Sequence, residues 1–285
     1  MKRNELEVKR MDKIEIKDLE IFANHGVFEE EKKLGQKFLV SITLFLDVRN
    51  AGRTDDLRES IHYGEVSGMV NDWMCKHTFQ LLESVAQGLC EEILLTYESS
   101  GLQEVEVTVK KPWAPVKLPL DTVSVTVRRK WTEAYLSIGS NMGNKESYLS
   151  EAVEGLKEDI YTKVLKVSSF ITTKPYGTVE QDDFLNGAVH IKTLRNPVEL
   201  LELSQKLEQK ANRERKIHWG PRTLDVDIIF FGKEIVEDMD FIVPHIDMQN
   251  REFVLKPLME LCPYFVHPLL KKRICTLYEE LKGDS

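Results

Sequence analysis

The sequence predicts an α+β protein built as two domains. Three observations carry that expectation. The chain has 285 residues, more than one ordinary small domain needs. Period-two alternation of apolar and polar residues is interleaved with helical periodicity along its length. The order of these elements changes after residues 129–133, a join too short to be a flexible tether.

Residues 1–11 read as a solvated, flexible extension, and the first domain is expected over 12–130. Ile14, Ile16, Leu19 and Ile21 alternate with polar partners as a half-buried strand, and Phe38–Val48 reads as a second. Helices are expected over His62–Lys76 and Phe79–Tyr97, the latter with Leu81, Leu82, Val85, Leu89, Ile93 and Leu94 at helical spacing. Strands follow at Glu104–Val109 and Thr122–Arg128, giving β-β-α-α-β-β. The second domain, 131–285, starts with a strand at Ala134–Ile138 and a helix at Glu146–Ile160. Strands at Val164–Thr172 and Leu185–Ile191, a helix at Val198–Asn212 and a strand at Leu224–Phe231 complete β-α-β-β-α-β, the ferredoxin-like order. A helical segment near Asn250–Leu261 and a proline-punctuated tail remain. The two orders differ, which implies fusion rather than duplication.

Composition excludes several function classes. The net charge is −8, with 42% apolar and 30% charged residues, ordinary for a globular protein. An acidic chain with no basic stripe and no strand of paired exposed aromatics is a poor nucleic-acid binder. No segment reaches the ~20 apolar residues that span a bilayer, so no membrane role is expected. The N-terminal residues lack the apolar stretch of a signal peptide, and Cys75, Cys90, Cys262 and Cys275 form no C-x-x-C pair. A cytoplasmic protein with free thiols is expected.

The sharpest local signal is Trp219-Gly-Pro-Arg-Thr-Leu-Asp-Val-Asp227. Asp225 and Asp227 stand two apart in a strand and share a face, while Leu224, Val226 and Ile228 take the other. Two hard-oxygen ligands suit Mg²⁺, which completes its shell with water and substrate phosphates. Arg213, Arg215 and Arg222 add guanidinium forks that bind phosphate oxygens in pairs.

With this motif the second half resembles the 6-hydroxymethyl-7,8-dihydropterin pyrophosphokinase family, over about residues 134–270. The other marks are Ile138-Gly-Ser-Asn-Met-Gly-Asn144, Val167-Ser-Ser-Phe170, Thr173 with Pro175-Tyr-Gly177, Phe184-Leu-Asn186 and Pro244-His-Ile-Asp-Met-Gln-Asn-Arg-Glu-Phe253. The resemblance implies diphosphate transfer from ATP to the pterin hydroxymethyl group. It implies two Mg²⁺ held by Asp225 and Asp227, catalytic Arg213 and Arg222, and a nucleotide site of Glu208, Arg213, Arg215, Arg222, His245 and Arg251. Asn186 would read the pterin edge, because an amide offers donor and acceptor together. Phe253 would stack on the pterin, with Phe184, Thr173, Pro175, Tyr176 and Trp219 lining its pocket. Glu252 departs from a common glycine of the family.

The first half carries scattered marks: His25-Gly26, Glu31 with Gly35-Gln36, Ala51-Gly-Arg-Thr-Asp55, His62-Tyr-Gly-Glu65, Leu81-Leu-Glu83 and Lys111-Pro-Trp-Ala-Pro115. Together they resemble dihydroneopterin aldolase over roughly 12–129. That family implies the tunnelling fold, a homo-oligomer with sites between neighbouring subunits, and a reaction that needs no metal. Glu83 would bind the pterin amino edge beside Leu82, Lys111 would act as general acid/base, and Tyr63 and Glu31 would assist. The substrates implied are dihydroneopterin, ATP and hydroxymethyldihydropterin. The product of the first half is the acceptor for the second.

Overall fold

A computed structural model of the chain describes residues 11–175, 182–211, 222–237 and 241–283. The chain divides into two compact units, 1–131 and 132–285.

In the first unit, strands β1 (Asp12–Ala23), β2 (Gln36–Leu46), β3 (Glu104–Lys111) and β4 (Val123–Lys130) form an antiparallel sheet in that order. Every second residue of β2 and β3 is buried, and Val40, Ile42 and Leu44 pair with Val109, Val107 and Val105 across the ladder. One apolar face is thereby made. Helices α3 (Tyr63–Lys76) and α4 (Leu82–Thr96) bury Val66, Val70 and Met74, and Val85, Leu89, Ile93 and Leu94; α3 packs on β1 and α4 on β3 and β4. Two short helices, α1 (Glu29–Leu34) and α2 (Arg49–Thr54), join the expected elements; neither buries a residue, so neither carries an apolar period to read.

Two local departures have physical causes. The β1 pattern changes phase between Ile16 and Leu19, where Asp18 takes φ 52° and the register with β2 shifts. The extra residue is a β-bulge, held by Asp18 N–H donating to Ser41 Oγ at 3.0 Å and by the Lys110–Asp18 ion pair at 2.6 Å. Helix α4 begins at Leu82 rather than Phe79, because the Phe79 backbone is engaged elsewhere. Its N–H donates to His25 Nδ1 at 3.2 Å, and its carbonyl accepts from Gly26 N–H at 2.9 Å.

The second unit contains β5 (Thr132–Ser140), α5 (Lys145–Glu158), β6 (Thr162–Val167), β7 (Ile171–Thr173), β8 (Phe184–Thr193), α6 (Pro197–Lys210) and β9 (Asp225–Phe231). The sheet runs β6-β8-β5-β9, all neighbours antiparallel, with β7 also on β8. The single strand expected over Val164–Thr172 is two. Ser168 Oγ accepts the Ala188 N–H at 2.9 Å and Ser169 N–H turns to Glu260 Oε2 at 2.9 Å, which breaks the run. Helices α5 and α6 pack one face around Leu136, Ile138, Leu149, Leu207, Val226 and Ile228. The opposite face is covered by α7 (Glu252–Leu261) and by α8 (Ile274–Gly283), a helix within the proline-punctuated tail. A sheet covered on both sides explains why eight of the nine β5 residues are buried without alternation. Among the described residues no helix is long and apolar enough to cross a membrane.

Candidate active site

The second unit brings its polar residues to one face of the sheet. Gly139 of β5 pairs with Asp225 of β9 on one side and with Asn186 of β8 on the other. Residues paired across strands project to the same face, so Asp225 and Asn186 share a face with their backbones about 10 Å apart, two strand spacings, and only a glycine between them. The glycine leaves room for the amide: a Cβ there would lie 2.6 Å from Asn186 Oδ1 and displace it. Asn186 is buried, and its Nδ2 donates to Thr173 Oγ1 at 2.8 Å. Thr173 is opposite Phe184 in the β7–β8 ladder, so three expected pterin-pocket residues are adjacent; Pro175 follows two residues on, half-buried.

Asp225 and Asp227 share this face, with Leu224, Val226 and Ile228 buried in the core. The Arg222 guanidinium contacts the Asp225 carboxylate directly. Burial and the neighbouring Asp225 charge raise the Asp227 carboxyl well above the usual carboxylate range, against the opposing pull of Arg222 and Arg251. Two crowded carboxylates of this kind favour a cation between them. Among the described residues no group of three or more His, Cys, Asp or Glu forms a metal cage. A pair of hard oxygens fits Mg²⁺, which takes few protein ligands and fills its shell from water and phosphate.

Above the acids lies the segment that enters α7. Arg251 Nε donates to Asp247 Oδ2 at 3.0 Å, its guanidinium lies 5.8 Å from the Phe253 ring, and its Nη1 is 3.5 Å from His245 Nε2. Burial, and then the Arg251 charge, hold the His245 imidazole below its ordinary pKa. Glu208 has a task that sequence reading misses. It is buried on α6 and accepts the Val226 N–H at 2.9 Å, closing the outer edge of β9 between the two acids. Tyr176, Arg213, Arg215 and Trp219 lie outside the described residues.

In the first unit, Lys111 Nζ lies 2.6 Å from Glu31 Oε1, and both side chains are only 10% exposed. Glu31 also accepts from Gln36 Nε2 at 3.0 Å and from Phe28 N–H at 3.1 Å. Burial pushes the Glu31 carboxyl up, but Lys111, Gln36 and Phe28 outweigh it, and the pKa is lowered. Gly26, at φ 155°, leaves the space into which the Glu31 carboxylate packs. Leu82 and Glu83 sit in the first turn of α4, and Tyr63, 64% exposed, opens α3. Among the described residues no hydrogen bond or ion pair links Tyr63 or Glu83 to Lys111 and Glu31. His25 is the residue beneath the site that sequence reading leaves without a role. It is fully buried, its Nε2 has no partner among the described residues, and burial, His77 and Lys111 lower its pKa to about 4.

A paired-acid strand with its arginine and a buried amide across one glycine thus share one face of the second unit. Residues 135–263 match the model of the 7,8-dihydro-6-hydroxymethylpterin-pyrophosphokinase family, and residues 14–128 match the model of dihydroneopterin aldolase. The chain belongs to the pyrophosphokinase family and carries the aldolase domain ahead of it. It is 50% identical to the 2-amino-4-hydroxy-6-hydroxymethyldihydropteridine pyrophosphokinase of Bacillus subtilis over 45% of this chain and 77% of that protein. It is 50% identical to the bifunctional protein FolKE of Lactococcus lactis over 45% of this chain and 36% of that protein. Similarity to the folic acid synthesis protein FOL1 of Dictyostelium discoideum covers both units, at 28% identity over 91% of this chain and 43% of that protein. The chain thus spans less than half the length of these two multi-domain relatives.

Proposed function

We propose that the chain performs two successive steps of folate biosynthesis, with residues 12–130 as the aldolase domain and 131–285 as the pyrophosphokinase domain. The observation that carries the second activity is the row Asp225–Gly139–Asn186, which puts a carboxylate and an amide on one face of the sheet and supports a phosphate side and a pterin side there. In that domain the hydroxymethyl oxygen attacks the β-phosphorus of ATP, the bond to the α-phosphate oxygen breaks, and AMP leaves. Asn186 orients the pterin, Phe253 and Phe184 flank it, and Arg222, Arg251 and His245 face the phosphates, with Arg213, Arg215 and Glu208 completing the nucleotide side. Asp225 and Asp227 would hold Mg²⁺, whose charge neutralises the phosphate oxygens. The β-α-β-β-α-β order supports a ferredoxin-like core.

In the aldolase domain the dihydroneopterin 2′-hydroxyl gives up its proton, the bond between side-chain carbons 1′ and 2′ breaks, and carbons 2′ and 3′ leave as glycolaldehyde. The electron pair passes into the ring C=N as an enamine, and the hydroxymethyl carbon is then protonated. Lys111, held by Glu31, would act as the general acid/base that takes the 2′-hydroxyl proton and returns one to the hydroxymethyl carbon. Tyr63 and Glu83 stand at exposed helix starts, which supports a site completed by a neighbouring subunit in a tunnelling-fold homo-oligomer. The four free cysteines suit a reducing cytoplasm.

The direct test of the second domain supplies hydroxymethyldihydropterin and MgATP to the full chain and measures AMP. Wild type is expected to release AMP in step with pterin diphosphate, and Asp225→Ala to release neither. AMP formation without pterin diphosphate would overturn the assignment.

A further inference from the structure

The segment between β5 and α5 is tied to both sides of the proposed kinase site. Asn141 is buried to 1% exposure and exchanges two hydrogen bonds with one residue: its Oδ1 accepts the Arg222 N–H at 2.7 Å and its own N–H donates to the Arg222 carbonyl at 3.1 Å. Arg222 is the residue whose guanidinium contacts Asp225, so this exchange fixes the backbone that aims it. Four residues on, at the start of α5, Lys145 Nζ donates to the Asp183 carbonyl at 2.6 Å, and Asn141 Nδ2 reaches the Asp182 carbonyl at 3.5 Å. Residues 182 and 183 lead directly into Phe184 and Asn186. One turn of chain therefore holds the phosphate-side arginine at one end and the pterin-side strand entry at the other.

We infer that Asn141 and Lys145 are positioning residues that set the separation of the nucleotide and pterin subsites, with Asn141 anchoring the nucleotide side and Lys145 the pterin side. The inference rests on the pyrophosphokinase reading. An in-line displacement needs the hydroxymethyl oxygen within about 3–3.5 Å of the phosphorus, so a brace spanning both subsites acts on the rate and not only on folding. A charge-assisted hydrogen bond to a main-chain carbonyl is worth enough to change a local equilibrium by about 10- to 100-fold.

The test measures AMP formation by the full chain while hydroxymethyldihydropterin and MgATP are varied independently. Lys145→Met is expected to raise the KM for the pterin about tenfold and to leave that for MgATP within about twofold. Asn141→Ala is expected to lower kcat and to raise the MgATP KM, through displacement of Arg222. Asn141→Asp, which keeps the acceptor for Arg222 N–H and removes the donor to Asp182, is expected to keep the MgATP KM and raise that of the pterin. It also serves if Asn141→Ala fails to fold. Equal effects on both substrates in Lys145→Met and Asn141→Asp, or none in either, would overturn the inference. Absence of AMP with the wild-type chain would instead overturn the pyrophosphokinase reading.

Discussion

His25 combines full burial with a ring that accepts the Phe79 N–H through Nδ1, and this has a consequence for stability. Its pKa is about 4 in the folded chain against an ordinary 6.5, because burial penalises the imidazolium. The unfolded chain takes up a proton as pH falls through 6.5, while the folded chain does so only near 4. Stability is therefore fully present above 6.5 and is lost as pH falls toward 4. Between pH 7.5 and 4.5, urea unfolding of wild type is expected to lose about 2–3 kcal/mol more than that of His25→Asn, which keeps an acceptor for Phe79 N–H but does not titrate. An identical pH dependence in both proteins would contradict this account. Gly139 gives a second residue-scale expectation. In Gly139→Ala the new methyl meets Asn186 Oδ1, so the amide must rotate away from Thr173, at an overpacking cost of about 1–3 kcal/mol. The KM for the pterin is expected to rise more than the KM for MgATP, measured by AMP release.

At the scale of elements, strand β9 is the outer strand of its sheet, and Glu208 supplies the acceptor that a further strand would have supplied. Glu208→Ala is expected to destabilise the chain by about 1–3 kcal/mol through an unpaired Val226 N–H, and Glu208→Gln to restore most of it, both read from denaturant midpoints. Equal losses in the two variants would mean that the Glu208 charge matters rather than its acceptor. The elements themselves were legible where periodicity is long. The Asp225–Asp227 spacing placed both acids on one face because a strand alternates, whatever surrounds it. The phase change from Ile14 and Ile16 to Leu19 and Ile21 already contained the bulge at Asp18. Other features depend on distant partners and leave no local trace. The start of α4 is set by His25, 54 residues away, and the end of β6 by Ser168 meeting Ala188. The place of Asn141 depends on Arg222, 81 residues further along. No window of sequence holds both ends of such bonds.

At the scale of the molecule, two units with different strand orders hold two different polar clusters, a buried lysine–glutamate pair in one and a paired-acid strand in the other. In the second unit the shared face of Asp225 and Asp227 was legible because their spacing is local, whereas Asn186 and Thr173 meet from separate strands. Among the described residues of the first unit Lys111 and Glu31 come together, while Tyr63 and Glu83 stand at exposed helix starts. Both steps are expected to occur in this chain, in sequence. This is tested most directly by supplying purified full chain with dihydroneopterin, ATP and Mg²⁺ and following glycolaldehyde, AMP and the pterin diphosphate separately. All three are expected from wild type. Asp225→Ala is expected to give glycolaldehyde alone, and Lys111→Ala to give AMP only when hydroxymethyldihydropterin is added. Glycolaldehyde without AMP from the wild-type chain would contradict the second step, and AMP only on addition of hydroxymethyldihydropterin would contradict the first.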